Sequence, residues 1–174
     1  KTHDLSAQLV FTMRNRTVPA TDNSVYTVLG SLPFRNVGLA GRLSYGYLSR
    51  YFLEMNFGYN GSERFSKAQR WGFFPSVSGG WMVSNEKFFE PFKEVATQLK
   101  LRASYGMAGN DNISDQRFLY LSDVSLSGGS GYSFGYEING YNRPGMTIRR
   151  YADPEISWEV SYKTNLAMEL TLFK

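Results

Sequence analysis

The stretch ISWEVSYKTNLAMELTL, residues 156–172, decides the fold class, because apolar and polar side chains alternate along nearly its whole length. The apolar series begins at Ile156 and continues to Leu172, and only Thr164 interrupts it. Polar residues, among them Glu159 and Lys163, fill nearly all the positions between. Since successive side chains of a β-strand point to opposite faces, this pattern predicts a long strand with one apolar and one polar face.

Five further segments show the same alternation, and charged side chains such as Arg42, Glu54 and Lys100 lie on their polar faces. The opposite faces are almost free of charge. We therefore predict an all-β antiparallel meander of about six long strands, in which one face meets an apolar environment and the other meets water. The five additional predicted strands extend over about 4–14, 38–48, 52–60, 72–83 and 99–108.

Strand length and connection length favour a membrane barrel over a soluble sandwich. A tilted strand that crosses a bilayer needs about 9–11 residues, whereas sandwich strands typically have about five or six. Outer-membrane barrels also combine short periplasmic turns with long extracellular loops. The predicted turn 49–51 is very short, and a short helix is predicted within 85–96 on the same edge of the sheet. The larger connections, which share the opposite edge, are 15–37, 61–71 and 109–155.

The composition excludes several classes of protein. No apolar run approaches the length of a membrane-spanning helix, and the absence of cysteine excludes disulfides and thiolate chemistry. The net charge is +4, but the basic residues are scattered, so we expect no nucleic-acid partner. Phosphates of lipopolysaccharide are an alternative anionic partner for them. The one basic doublet, Arg149-Arg150, is predicted to lie in a solvated loop.

Catalytic and metal-binding patterns are not recognisable. His3 is the only histidine and lies at the terminus, which leaves no Ser-His-Asp triad or histidine-rich metal site within the chain. Asp153 and Glu155 are typical of turns. The oxygen-rich run around Asp111 and Asp115 lacks the spacing of an EF-hand calcium loop. We therefore predict no enzyme activity, no cofactor and no metal.

The long connection 109–155 contains the residues that we expect to contact a ligand or a lid protein. Its glycine-rich run, residues 128–131, lacks a phosphate-loop pattern and is predicted to be a flexible extracellular loop. The residues beyond it combine aromatic faces with polar tips, which suit a sugar ring or a peptide. These candidates are Tyr132, Phe134, Tyr136, Tyr141, Asn142 and Arg143.

Several motifs resemble segments of the SusC/RagA family of TonB-linked outer-membrane proteins. They occur in the family's order, which makes coincidence a poor explanation. In this sequence they are GLAGRLSY (38–45), RY (50–51), NFGYNGSE (56–63), GFFPSVSGGW (72–81), SNE (84–86), LKLRASYG (99–106), GN (109–110), ADPEISWE (152–159) and SYKTN (161–165).

The resemblance implies a bacterial outer-membrane barrel of about 22 strands with an N-terminal plug. It further implies import of oligosaccharides or peptides, energised by the TonB complex and assisted by a SusD-like surface lipoprotein. Residues 1–174 are then expected to be part of one transmembrane barrel domain in contact with outer-membrane lipid, with the plug and the rest of the barrel outside them. Two alternatives stay open on the residues alone. One is a soluble β-sandwich that binds carbohydrate, and the other is a passive porin or adhesin barrel.

Overall fold

The computed structural model describes residues 2–17, 32–114, 116–135 and 141–172. No helix in these ranges is long and apolar enough to cross a bilayer. Two short 3₁₀ helices, Val83–Asn85 and Lys87–Phe92, follow the fourth strand. The strands are β1 (His3–Arg16), β2 (Phe34–Tyr47), β3 (Tyr51–Ser62), β4 (Trp71–Met82), β5 (Ala96–Asn110), β6 (Asp123–Phe134), β7 (Tyr141–Arg150) and β8 (Glu159–Leu172).

Six of the strands form one antiparallel sheet in the order β1-β2-β3-β4-β5-β8. This confirms the predicted meander, and the strand expected at 156–172 is β8. Between β5 and β8 the chain forms a separate antiparallel pair, β6 and β7. That hairpin was not predicted, because its glycine-rich sequence breaks the alternation on which the strand predictions rest.

The register of the large sheet sorts the side chains by polarity. Leu5 pairs with Tyr45, and Tyr45 pairs with Leu53, so one face carries a continuous apolar row. One residue further along, Ser44 pairs with Glu54 on the other face. Because a one-residue slip would exchange the two faces, the alternation in the sequence fixes this register.

The apolar face of the sheet is uncovered. In the described part of the chain, Leu9 on β1 and Leu166 on β8 remain 68% and 80% exposed. Among the described residues, the buried apolar ones lie instead in the connections, at Phe65, Val83, Phe89 and Phe118. A β-sandwich buries the apolar faces of its strands against a second sheet, which the described residues do not supply. The described residues therefore do not form a sandwich over this face.

Aromatic side chains form a row near each end of the apolar face. At one end the rings of Tyr51 and Trp81 are stacked with their centroids 6.4 Å apart. At the other end, Tyr59 stacks on Trp71 at 4.9 Å. Two such girdles flank the lipid-facing band of outer-membrane barrels, where the headgroups accommodate aromatic rings.

The two edges of the sheet differ as predicted. At the short-turn edge, the turn 48–50 joins β2 to β3 and is closed by a hydrogen bond from Arg50 N to Tyr47 O (2.9 Å). The two 3₁₀ helices join β4 to β5 at this edge, which confirms the short helix predicted in 85–96. The connections that follow β1, β3 and β5 leave from the opposite edge, called the long-loop edge below.

Two details of the predicted strand assignment were wrong. The last strand begins at Glu159 and not at Ile156, because the Trp158 indole leaves the apolar face and donates to Arg70 O at 3.2 Å. The glycine-rich run 128–131 belongs to β6 and is not a loop. A side chain at Gly129 or Gly145 would overlap the backbone of the opposite strand, so close strand pairing requires glycine there.

Candidate functional site

The hairpin β6–β7 brings most of the predicted contact residues together. Tyr132 pairs with Arg143, and Phe134 pairs with Tyr141, next to the pair formed by Ser133 and Asn142. Five of the six candidates therefore occupy the last three cross-strand positions at the hairpin tip. The sixth, Tyr136, lies outside the described residues.

The tip presents aromatic surface and one cation. The rings of Tyr132 and Phe134 meet edge to face with their centroids 4.8 Å apart. The guanidinium of Arg143 lies 5.3 Å from the centroid of the Tyr141 ring, within the range of a cation–π interaction. Tyr132 is 67% exposed, and the other two rings are more than half exposed. Such a surface can stack on the apolar face of a sugar or on a peptide side chain, while the guanidinium and hydroxyl groups offer hydrogen bonds.

The base of the hairpin is held by Arg150. Its guanidinium donates to Gln116 Oε1 at 2.6 Å, to Phe118 O at 3.2 Å and to Leu121 O at 3.3 Å. Arg149 donates to Ser125 Oγ at 3.2 Å. The doublet was predicted to lie in a solvated loop; the structure places it at the end of β7, where Arg149 is exposed and Arg150 is half-buried. Both side chains fasten the hairpin to its own stem and to the preceding chain.

Arg117 ties the same connection to the sheet. It donates to Leu32 O at 2.6 Å and to Pro33 O at 3.0 Å, and it forms an ion pair with Glu63. Its guanidinium also lies over the ring of Phe34, 3.9 Å from the centroid. One arginine thus joins the chain before β2, the chain after β3 and the long connection after β5.

Asp111 makes a second link at the long-loop edge. Its carboxylate accepts a hydrogen bond from the buried Ser62 hydroxyl at 2.8 Å, and Arg64 donates to Ser114 O at 2.6 Å close by. Asp115 lies outside the described residues. Within the described ranges, no three His, Cys, Asp or Glu side chains gather in a way that would hold a metal ion.

The connections that follow β3 and β5 pack on each other at the long-loop edge and are called the loop assembly below. Phe65 is its apolar centre and is only 1% exposed. Its ring lies 5.4 Å from that of Trp158, and the Trp158 ring lies 5.2 Å from that of Phe74. Ser66 donates to Pro154 O at 2.9 Å beside them. Sequence reasoning missed this cluster, since no local pattern marks Phe65 as buried.

The polar face of the sheet carries paired charges. Glu54 forms an ion pair with Arg42 and accepts a hydrogen bond from Asn56 at 2.9 Å. Further along, Glu169 pairs with Arg102 and, at 3.6 Å, with Lys100. Paired and hydrogen-bonded ions tolerate a partly hydrated interior, so this face suits the water-filled side of a barrel wall.

Glu86 fastens the short-turn edge. It accepts hydrogen bonds from Tyr51 Oη at 2.7 Å and from Trp81 Nε1 at 3.3 Å, and Arg50 lies at 3.4 Å. The hydrogen bond from Tyr51 is the main reason that the pKa of Glu86 falls below its ordinary value, with smaller contributions from Trp81 and Arg50. The carboxylate thus anchors the 3₁₀ helices to both flanking strands.

These features together define the class of protein. Long strands with an uncovered apolar face, a charge-paired polar face, two aromatic rows and loops gathered at one edge form a wall segment of a transmembrane β-barrel.

Comparison with known proteins identifies the family. The sequence is 32% identical over 158 residues to the TonB-dependent receptor SusC of Bacteroides thetaiotaomicron, which covers 90% of this chain and 14% of the relative. It is 31% identical over 140 residues to the TonB-dependent receptor P26 of Formosa agariphila, which covers 80% of the chain and 13% of that protein. No family model matches. The chain belongs to the SusC/RagA family of TonB-dependent outer-membrane transporters and corresponds to a segment of their barrel.

Solved structures show the same fold. The RagAB peptide importer in its closed-closed state superposes with a TM-score of 0.72 at 18% identity, covering 99% of this chain and 20% of the other. The open-open state gives a TM-score of 0.70 at 20% identity. The chain spans about one seventh of the length of the curated relatives named above. The relatives are receptors and importers, which supports a non-enzymatic role at the level of the family.

Proposed function

We propose that this chain forms part of the wall and extracellular loops of a TonB-dependent importer of oligosaccharides or peptides. In this function the apolar face contacts lipid and the charge-paired face lines the barrel interior. The long-loop edge faces the outside of the cell, and the short-turn edge faces the periplasm. The aromatic hairpin tip contacts the substrate or a SusD-like lipoprotein lid.

The observation that carries this proposal is the placement of the hairpin. Its tip displays exposed aromatic rings beside a guanidinium, while Arg150 fixes its base to the chain beside the sheet. Exposed aromatic clusters with a few polar groups are typical of recognition surfaces. Energised import is supported by the names of the curated relatives, which are TonB-dependent receptors. Peptide transport is named for the RagAB structures.

The test of the contact surface uses the full-length transporter in its native membrane. A triple variant, Tyr132→Ala, Phe134→Ala and Tyr141→Ala, removes the tip rings. The control, Tyr151→Ala, removes a tyrosine just beyond the hairpin base that is more exposed than any of the three. Binding of labelled oligosaccharides, of peptides and of the lid protein is then measured for each. We expect at least about a tenfold loss of affinity for one of these three in the triple variant only. Equal binding of all three by both variants would remove the tip from the proposal.

Energised import is separated from a passive pore by the proton-motive force. Cells are loaded with labelled oligosaccharide or peptide in the presence and absence of an ionophore. An importer coupled to TonB stops accumulating substrate when the ionophore is added, because its energy comes from the inner membrane. Continued equilibration at an unchanged rate would favour the porin alternative.

A further inference from the structure

A cavity of about 400 Å³ lies where the apolar face meets the long-loop edge. Val37, Gly61 and Trp71 line it and form one cross-strand row of that face. Trp71 also stacks on Tyr59 in the aromatic row. Because that row marks the level of the headgroups, the cavity lies beside the outer-leaflet headgroups and away from the barrel interior.

Two arginines line this cavity, Arg35 at the start of β2 and Arg70 just before β4. Within the described part of the chain, neither guanidinium has a hydrogen-bond or ion-pair partner. Arg70 Nε is moreover buried away from solvent without a partner there. The two terminal guanidinium nitrogens of Arg70, unlike Nε, are not buried, and Arg70 lines the cavity, so they can donate to an acceptor from outside the described residues.

The cavity carries a net positive charge. Glu63 is the only acidic residue among the described residues that line it, and its carboxylate is already paired with Arg117. The side chain of Asn36 is engaged with Asp111. The two cationic side chains of the cavity are therefore not neutralised by its own acidic residue.

We propose that this cavity binds a phosphate group of a lipopolysaccharide molecule in the outer leaflet. The planar guanidinium fork matches the geometry of phosphate oxygens and donates two parallel hydrogen bonds to them. Trp71 and the buried Phe118 give the same cavity apolar walls that suit the attached sugar or acyl chain. A soluble anion would gain nothing from those walls, which is why the lipid is the preferred source of the phosphate.

The proposal is independent of what the transporter imports and rests only on its place in the outer membrane. Lipid bound here would occupy the cavity and contact β2, β4 and the loop residues Phe118 and Tyr120. It would thereby hold the loop assembly at the level of the headgroups, beside the ion pair of Arg117 and Glu63.

The test compares two double variants of the full-length transporter in detergent. Arg35→Gln with Arg70→Gln removes the proposed phosphate contacts. Lys67→Gln with Lys93→Gln removes the same charge from exposed positions outside the cavity. Binding of bisphosphorylated lipid A, of its dephosphorylated form and of inorganic phosphate is measured by native mass spectrometry.

We expect the arginine variant to lose at least about tenfold in affinity for bisphosphorylated lipid A, with the lysine variant within about twofold of the wild type. The wild type should bind dephosphorylated lipid A as weakly as the arginine variant binds bisphosphorylated lipid A. Equal binding by both double variants, equal binding of the dephosphorylated lipid, or equally tight binding of inorganic phosphate would each overturn the proposal. If the double variant fails to insert, the single variants R35Q and R70Q give the same comparison against K67Q.

The ionophore-sensitive uptake of labelled substrate is measured in parallel. Loss of lipid binding with retained uptake supports the lipid site without touching the proposed function. Retained lipid binding in the arginine variant overturns the lipid site, whatever the uptake result.

Discussion

Replacing Met55 with lysine tests which face of the wall contacts lipid. Met55 lies on β3 midway between Tyr51 and Tyr59, which belong to the two aromatic rows. Four residues of strand cover about 13 Å. At a tilt of about 40° this places Met55 about 10 Å from each row, measured along the membrane normal. This is the middle of the hydrocarbon band. A lysine at the midplane of a barrel costs about 2–4 kcal/mol, or about 30- to 900-fold in the folding equilibrium.

The neighbouring residue supplies a matched control. Asn56 points to the polar face, where it pairs with Arg42 and donates to Glu54, so Asn56→Lys places the same charge one residue away. We expect this variant to change the free energy of unfolding by less than about 1 kcal/mol. Both are measured by reversible denaturant unfolding of the full-length barrel in lipid bilayers. An equal cost for the two lysines, or a larger cost for Asn56→Lys, would refute the assignment of the faces.

Three further predictions concern the two edges of the sheet. The lowered pKa of Glu86 means that its stabilisation is complete above the ordinary value of 4.5 and is lost as the pH falls through the lowered value. Amide hydrogen exchange of residues 83–95, corrected for its intrinsic pH dependence, should therefore accelerate on acidification in the wild type. In Glu86→Gln the corrected rate should not change with pH. The same pH dependence in both proteins would contradict this. Phe65→Ala should destabilise the loop assembly by about 3 kcal/mol and open it to limited proteolysis, whereas unchanged cleavage would show that Phe65 is not its centre. Ser49→Gly should stabilise the barrel by about 1 kcal/mol, since Ser49 has a φ of 55°; a lower denaturation midpoint would contradict that.

The strands of the large sheet were predictable because their signal is local. In β3, Leu53, Met55 and Phe57 alternate with polar or small residues, and the alternation alone determines which face each side chain takes. Connection lengths then separated the long-loop edge from the short-turn edge. The predicted ends were less accurate where a tertiary contact replaces the pattern, as it does at Trp158.

The loop assembly was not predictable, because its partners are distant in the sequence. Arg117 and Glu63 are 54 residues apart, and Ser66 and Pro154 are 88 residues apart. No local pattern reports such pairings. The hairpin β6–β7 was not predicted for a different reason. Its register shifts near Gly129 interrupt the period of two that marks a strand. Five of the six contact candidates share the hairpin tip, and their contact with a ligand or a lid protein stays a prediction.

The most direct measurement of the central claim is the accessibility of single spin labels along β3. The sequence contains no cysteine, so a label can be placed at Leu53, Glu54, Met55 or Asn56 once cysteines elsewhere in the full-length transporter are replaced. Membrane-soluble oxygen and a water-soluble nickel complex then report lipid and water contact in bilayers. A wall strand predicts high oxygen accessibility at residues 53 and 55 and high nickel accessibility at residues 54 and 56. Uniform accessibility at all four positions, or the reverse alternation, would contradict the claim that this sheet is the wall of a membrane barrel.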